Sequence, residues 1–183
     1  MPIALAALVF LALCPLAAAP AGATTLERLD LPQLVQRAHT IFVGTCLSSD
    51  ETTLAGRPYR RFHFSVARTL KGDHLPRRTV HLPGGTHNGR TIRFVGMPQI
   101  APDEEIVLFL TEADDLGYAW PVGLAQGKFT VLRQIGNALV RRDLQGASLV
   151  GAAKSGQALD GMGLEDFLNQ VRRLQGGQPD ARR

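Results

Sequence analysis

Apolar and polar residues alternate through FHFSVA, residues 62–67. Because successive side chains of a β-strand point to opposite faces, this alternation predicts a strand over residues 59–70 with its aromatic residues buried on one face. Lys71-Gly72-Asp73 predicts a turn, and residues 78–82 predict a returning strand that Pro83-Gly84-Gly85 ends. The two glycines favour a tight turn with positive φ.

The remaining apolar pattern predicts further strands between two helices. The run IVLFL, residues 106–110, is typical of a central strand buried on both faces. Apolar residues at helical spacing predict helices over residues 31–40, with Asp30 as the N-cap, and over residues 163–174. Shorter strands are predicted at 41–47, 91–95, 118–122, 127–133 and 137–142, with a polar loop at 48–58.

This order of elements predicts a mainly β fold, a small barrel or sandwich of antiparallel strands with flanking helices. Residues 145–161 are rich in glycine, serine and alanine and predict a flexible connector. We therefore divide the chain into a signal peptide (1–23), a β domain with an N-terminal helix (24–144), a linker (145–162), a C-terminal helix (163–175) and a disordered tail (176–183).

The first residues, MPIALAALVFLALCPLAAAPAGA, are uncharged and apolar or small. Their dense core has the length of a signal-peptide core and is too short to span a bilayer comfortably. Ala21-Gly22-Ala23 resembles a cleavage site, which makes Thr24 the first mature residue. The sequence thus predicts a periplasmic or extracellular protein that leaves the membrane after cleavage; lipidation at Cys14 and a retained anchor are the alternatives.

Cys46 is the only cysteine after the predicted cleavage site, so no disulfide can form within the mature chain. It lies in the apolar run of residues 41–47, which predicts a small buried side chain. A reactive or intermolecular thiol is the alternative. The fold must therefore depend on its hydrophobic core rather than on cross-links.

Charge is segregated along the chain. Residues 57–93 contain nine basic residues and one acid, Asp73, whereas residues 103–115 contain six acids and no base. This pattern predicts one basic and one acidic surface, with the alternative that the two segments are neighbours and neutralise each other across strands.

The common catalytic motifs are missing from the mature sequence. It has neither the G-x-S-x-G of α/β-hydrolases nor an H-E-x-x-H zinc motif. His63 and His81 are predicted to share the polar face of neighbouring strands, but two ligands without a third do not indicate a metal site. We therefore expect a non-enzyme without metal or cofactor, and keep a hydrolase around His63, His81 and His87 as the weakest hypothesis.

Basic residues that flank the first hairpin are the best candidates for binding. Such a surface attracts an anionic polymer or an acidic protein surface. Nucleic acid is not expected, because Phe62 and Phe64 belong to the core rather than to a stacking platform and the export signal removes the chain from the cytoplasm. The candidates are Arg60, Arg61, Arg68, Lys71, Arg77 and Arg78.

Four short motifs carry a resemblance to a known family. Arg37-Ala38-His39 leads into TIFVGT, residues 40–45; Thr69-Leu70-Lys71-Gly72 ends the aromatic strand; EEIVLFL occupies residues 104–110; and Gln126-Gly127-Lys128-Phe129 follows. These resemble secreted bacterial proteins related to the netrin-like domain, which includes the tissue inhibitors of metalloproteinases. The resemblance implies an OB-type five-stranded barrel, closed or partly open, with flanking helices.

The resemblance also implies a way of working, from which this chain departs. In the eukaryotic inhibitors a cysteine at the mature N-terminus chelates the zinc of the target, whereas here Thr24 is predicted to stand there. The leading hypothesis is accordingly an exported binding protein that acts on a secreted or periplasmic protein, with modulation of a metallopeptidase as the sharper version. The predicted partner-binding residues are Thr24, Arg60, Arg61, His63, Arg68, Lys71, Arg77, Arg78 and His81; the alternative is a basic face that binds anionic cell-envelope polymer.

Overall fold

The computed structural model describes residues 25–54, 56–87, 89–151 and 159–176. The predicted signal peptide, Thr24, part of the predicted linker and the predicted tail from residue 177 lie outside the described residues. In the described part of the chain, no helix has the length and apolar character needed to cross a membrane.

Ten strands and two helices make up the described chain. The helices are α1 (Leu31–Arg37) and α2 (Leu164–Gly176), and a 3₁₀ turn covers Leu124–Gly127. The strands are β1 (Thr25–Glu27), β2 (Thr40–Leu54), β3 (Arg57–Lys71), β4 (Arg77–Pro83), β5 (Gly85–His87), β6 (Arg90–Ile92), β7 (Glu105–Leu110), β8 (Lys128–Gln134), β9 (Asn137–Arg141) and β10 (Ser148–Val150).

Six of the strands form one antiparallel sheet in the order β4-β3-β2-β7-β8-β9. The prediction of a mainly β fold with a helix on either side of the strands in sequence is confirmed. The sheet is not a closed barrel, since in the described chain β4 pairs only with β3 and the two edge strands do not meet. Two further pairs, β1 with β10 and β5 with β6, stand apart from the main sheet.

The sheet has a hydrophobic core on each face. One core joins both helices to the sheet and contains Leu34, Phe109 and Phe167. The other contains Phe42 and Phe64, together with Phe62, Val80, Leu82, Met97, Ile100, Ile106 and Leu108. β7 contributes to both cores, which confirms that IVLFL is a central strand buried on both faces, and the aromatic face of β3 is buried as predicted.

Four predictions of local structure are wrong, and one of them is the strand at 91–95, which ends at Ile92. Most of the predicted polar loop at 48–58 is strand, because β2 and β3 are fifteen residues each and continue as a long hairpin beyond Cys46. The predicted strand at 118–122 is reduced to a bridge between Leu110 and Pro121. The predicted flexible connector contains β10, whose pairing with β1 is parallel and therefore hidden from any local pattern.

Helix α1 begins as predicted. Asp30 accepts a hydrogen bond from the Gln33 backbone N–H at 2.9 Å, and the Gln33 side chain accepts one from the Asp30 N–H at 3.0 Å. This reciprocal capping box satisfies two donors that the first turn would leave unpaired. The prediction that Cys46 is buried is also confirmed; burial raises the pKa of its thiol, and the nearby Glu104 carboxylate raises it further.

The segment Gln126-Gly127-Lys128 contacts three parts of the fold: the N-terminal segment, the chain around Val122, and Glu104. The Gln126 side chain donates a hydrogen bond to the Glu27 carbonyl and accepts one from the Leu29 N–H, both at 2.8 Å. Its amide therefore bonds to the backbone of the N-terminal segment in the way that a neighbouring strand would. At Gly127 a Cβ atom would lie 2.5 Å from the Val122 carbonyl oxygen, so only glycine fits there. Lys128, almost fully buried, pairs with Glu104.

Candidate partner-binding surface

Asp50, Arg61 and His63 form a cluster on the outer face of the β2–β3 hairpin. Arg61 donates two hydrogen bonds to Asp50 Oδ2, from Nη2 at 2.7 Å and from Nε at 3.1 Å. His63 Nε2 lies 3.1 Å from Asp50 Oδ1, and its Nδ1 lies 3.3 Å from Thr79 Oγ1 on β4. The hydrogen bond from Arg61, helped by that from His63, holds the pKa of Asp50 below its usual value.

His81 lies on the same face, as predicted, but not opposite His63. The cross-strand pairs are Arg61 with His81 and His63 with Thr79, so the two histidines are diagonal neighbours. The His81 ring also contacts Tyr118, with ring centres 5.0 Å apart. Burial lowers the pKa of His81 and the nearby positive charge of Arg61 lowers it further, so this imidazole is neutral at pH 7.

This cluster brings together a carboxylate, an imidazole and a hydroxyl, but on a half-exposed sheet face. The side chains of Asp50 and His63 are 42% and 38% exposed. Within the described ranges no group of three or more histidine, cysteine, aspartate or glutamate side chains is arranged to hold a metal ion. His87, the third residue of the hydrolase hypothesis, lies on β5 of a separate hairpin.

Most of the other predicted basic residues form hydrogen bonds or ion pairs within the chain. Arg60 Nη2 lies 3.2 Å from Glu51 Oε1, and Arg68 Nη1 donates to Glu165 of α2 at 2.7 Å. Lys71 Nζ donates to the Val35 carbonyl at 3.0 Å, and burial lowers its pKa.

The acids that meet these basic side chains lie outside the predicted acidic segment. Glu104 and Glu105 of that segment pair instead with Lys128 and Arg133 of β8. Within the described residues, each charge-rich segment is therefore paired in part, and its ion pairs are not with the other segment.

Arg77 and Arg78 at the start of β4 behave differently from each other. Arg77 is exposed and makes no ion pair with the described residues. Arg78 turns inward, where its guanidinium lies over the Phe42 ring at 5.9 Å and donates to the Asp73 carbonyl. Its Nε–H is buried without an acceptor in the described chain. Thr24, the remaining predicted residue, falls outside the described residues.

Sequence reasoning missed an exposed apolar surface next to β4. Three apolar residues that are close together in sequence, Ile92, Phe94 and Val95, are 43%, 51% and 49% exposed. Beside them lies a groove of about 130 Å³, lined by apolar side chains of the second core and by four polar residues, Arg60, Thr91, Arg93 and Gln99. We call this groove, with its exposed residues 92–95, the apolar groove; its apolar lining residues are Phe62, Leu82, Phe94, Met97 and Ile100.

The apolar groove is built by the turn that Gly84 and Gly85 make possible. Their φ values are +117° and +115°, which confirms the predicted positive-φ turn. A Cβ at Gly84 would lie 3.0 Å from the Ile92 carbonyl oxygen and 3.8 Å from the Phe94 ring. The β5–β6 hairpin that follows is held to β2 by Glu51, which accepts the Thr86 N–H at 3.0 Å.

A signal for this surface was present in the sequence. Residues 91–95 were expected to form a strand, yet the strand ends at Ile92 and the apolar residues that follow it are left without a sheet to bury them. An apolar pair directly before a Gly-Met-Pro break is the pattern that could have identified an exposed turn.

Comparison with known proteins adds no family. No protein-family model matches the chain, and no curated protein matches it.

Proposed function

We propose that this chain is an exported, non-enzymatic binding protein that works by protein–protein contact through the apolar groove. The observation that carries the proposal is the exposure of Ile92, Phe94 and Val95 beside a groove whose floor belongs to the hydrophobic core. Contiguous exposed apolar surface at the edge of a concave site is characteristic of protein-binding surfaces.

The charge around the groove supports a protein partner more than an extended polyanion. Arg60 and Arg61, the basic residues that the sequence placed at the centre of a basic face, each meet a carboxylate within the fold. Arg93 is exposed at the groove rim and has no ion pair within the described residues. A partner that combines an apolar side chain with one carboxylate therefore fits this surface.

The resemblance to netrin-like proteins suggests the sharper version, in which the partner is a secreted metallopeptidase. Under that version the six-stranded sheet is an OB-like barrel left partly open beside β4, with the second core as its interior. Export follows from the apolar, uncharged N-terminal segment and its cleavage-like Ala21-Gly22-Ala23.

The test is a comparison of three baits in periplasmic and secreted extracts of the source organism: the wild type, Phe94→Asp and Ile135→Asp. Ile135 is a fully exposed apolar residue in the β8–β9 turn and controls for added charge. We expect one partner to be captured by the wild type and by Ile135→Asp but not by Phe94→Asp.

Titration with the purified partner then supplies the quantitative result. A buried aromatic contact at an interface is worth about 2 kcal/mol or more, so Phe94→Asp should raise the Kd at least about tenfold. Equal affinity of Phe94→Asp and wild type, or capture that does not depend on Phe94, would exclude the groove as the contact surface. Inhibition assays on a captured peptidase decide the sharper version.

A further inference from the structure

The backbone of β4 exposes one side of its hydrogen-bonding ladder. The Gly84 N–H donates to the Pro58 carbonyl at 3.0 Å, and the Pro76 carbonyl accepts from the Val66 N–H at 2.9 Å. Between these two bonds the register of β3 and β4 runs without a shift. Because antiparallel residues bond to a given neighbour only at alternate positions, the even-numbered residues of β4 bond to β3.

The odd-numbered residues of β4 therefore direct their backbone groups away from the sheet. Arg77, Thr79 and His81 each present an N–H and a C=O on this side, whereas Pro83 presents only a C=O. None of these groups has a backbone partner within the described ranges. An unpaired strand edge of this kind is a template for another strand.

The opposite edge of the sheet is covered. On β9 the Val140 N–H donates to the Met162 carbonyl at 2.9 Å, and the Val140 carbonyl accepts from the Gly161 N–H at 2.9 Å. The chain thus closes one edge of its sheet with its own segment before α2, and no other described residue pairs with the outer edge of β4.

Two cavities lie one after the other beside the open edge. The apolar groove is lined by the end of β4 and its turn, from Leu82 to Gly85. A second cavity of about 390 Å³ is lined by residues 78–81 of β4 and, across from them, by residues 110–113 and 117–119. That far wall is held in shape by Asp114, whose Oδ1 accepts the N–H groups of Leu116 and Tyr118 at 3.0 and 2.9 Å.

We infer that the partner binds as an extended segment that adds a strand to β4. The inference rests on the proposed function and specifies how the contact is made: main-chain hydrogen bonds run along Thr79 and His81, while side chains of the segment enter the two successive cavities along the edge. An apolar side chain of the segment fills the apolar groove.

Charge argues for a different protein as the occupant rather than a second copy of this chain. Pairing β4 with β4 of another copy would place two arginines from each copy, at 77 and 78, on one short ladder with no acidic residue in either strand to pair with them. Two acids, Asp73 and Glu112, line the cavity at the start of β4 together with Arg78, whereas the apolar groove at the end of β4 is lined by Arg60 and Arg93 and by no acid. The segment should therefore carry its acid at the end that meets Arg93.

The probe for this inference is a random linear peptide library displayed on phage and selected on the full mature chain, with Phe94→Asp used to remove peptides that bind elsewhere. Peptides that survive are synthesised and titrated. We expect them to be enriched in one acidic residue beside an apolar one.

A matched pair of variants then separates main-chain from side-chain contacts. Thr79→Pro removes the outward N–H but no bond to β3, because the Thr79 N–H does not face β3, and proline is tolerated at such edge positions. Thr79→Ala removes the side chain and keeps the N–H. We expect Thr79→Pro to weaken the selected peptides about tenfold and Thr79→Ala to change their affinity by less than about twofold.

Amide hydrogen exchange of the wild-type chain gives a second readout that does not depend on a variant folding. The amides of Thr79 and His81 should become protected when a selected peptide binds. Peptide binding that depends on Phe94 but leaves these amides unprotected would overturn strand addition and leave the proposed function standing. A library that yields no Phe94-dependent peptide would overturn both, and a dimer formed through Thr79 and His81 would show that the occupant is a second copy.

Discussion

At the scale of single residues, Gln126 is the side chain on which the placement of the N-terminal segment depends. It is buried and satisfies one backbone acceptor at Glu27 and one backbone donor at Leu29. Replacing it with leucine keeps the volume but leaves two polar groups unpaired, each costing about 1–3 kcal/mol. We expect Gln126→Leu to lower the free energy of unfolding in urea by about 2–4 kcal/mol, whereas the exposed Gln134→Leu should change it by less than about 0.5 kcal/mol.

Lys128 and Glu104 form the second residue-scale case, an ion pair between a buried lysine and a partly buried carboxylate that also accepts a hydrogen bond from the Thr130 hydroxyl at 2.6 Å. Lys128→Met leaves this carboxylate without its counter-charge, which should cost about 3 kcal/mol in the free energy of unfolding, the lower end for a broken buried pair. The double variant Lys128→Met with Glu104→Gln removes both charges and should recover most of that loss. A double variant as unstable as the single one would show that the lysine acts by packing alone.

The same pair makes the stability of the fold depend on pH. Burial by itself would raise the pKa of Glu104, but hydrogen bonds from Lys128 and Thr130 outweigh it and lower the pKa below its usual value. A carboxyl whose folded pKa is lowered stabilises the fold above its unfolded pKa, and this stabilisation is lost as the pH falls towards the folded pKa. We expect wild type to lose stability from about pH 4.3 downward in urea titrations, and the Glu104→Gln variant to lose less over that range.

At the scale of elements, α2 is an integral part of the fold and not a separate tail. Phe167 packs against Phe129 with ring centres 4.7 Å apart and against Phe109 at 6.2 Å. Removing a fully buried aromatic ring costs about 3–5 kcal/mol. We therefore expect Phe167→Ala to lower the free energy of unfolding by that amount with a single cooperative transition, while the exposed Asn169→Ala leaves it nearly unchanged. A separate early transition for α2 would contradict this.

Some elements of the fold could be predicted from the sequence and others could not. Helix α1, the buried face of β3 and the central strand β7 could be predicted because their periodicity or continuous burial is local to a few residues. The outer part of the β2–β3 hairpin could not, because its stability comes from cross-strand pairs such as Asp50 with Arg61 rather than from an apolar face. β10 could not be predicted either, because its partner β1 lies at the opposite end of the described chain.

The apolar groove shows why a binding surface is harder to predict from a sequence than a helix or strand. Arg60, Arg61 and Arg68 were chosen because charge is visible in a sequence. The carboxylates that pair with them lie across the β2–β3 hairpin or, for Arg68, on α2, and these pairings depend on strand register and helix position. Phe94 and Val95 were assigned to a strand because apolar residues are assumed to be buried. Only the positions of their neighbours distinguish an exposed apolar pair from a buried one.

At the scale of the whole molecule, local pairing of charges should make the protein a poor ligand for polyanions despite its net charge of +4. We expect it to elute from a heparin column at or below physiological ionic strength, about 0.15 M. The variant that reverses charge at Arg60, Arg61 and Lys71 should elute close to the wild type. Strong retention of wild type that this variant abolishes would instead favour the anionic-polymer hypothesis.

The parallel pairing of β1 with β10 has a consequence for the time course of folding. A ribosome or a translocation channel delivers β1 early and β10 late, so the first strand must wait for its neighbour until nearly all of the chain has emerged. Contacts so distant in sequence slow the final step of folding. Under the export that we propose, such a delay is an advantage, because the β1–β10 pairing forms only after the chain has crossed the membrane.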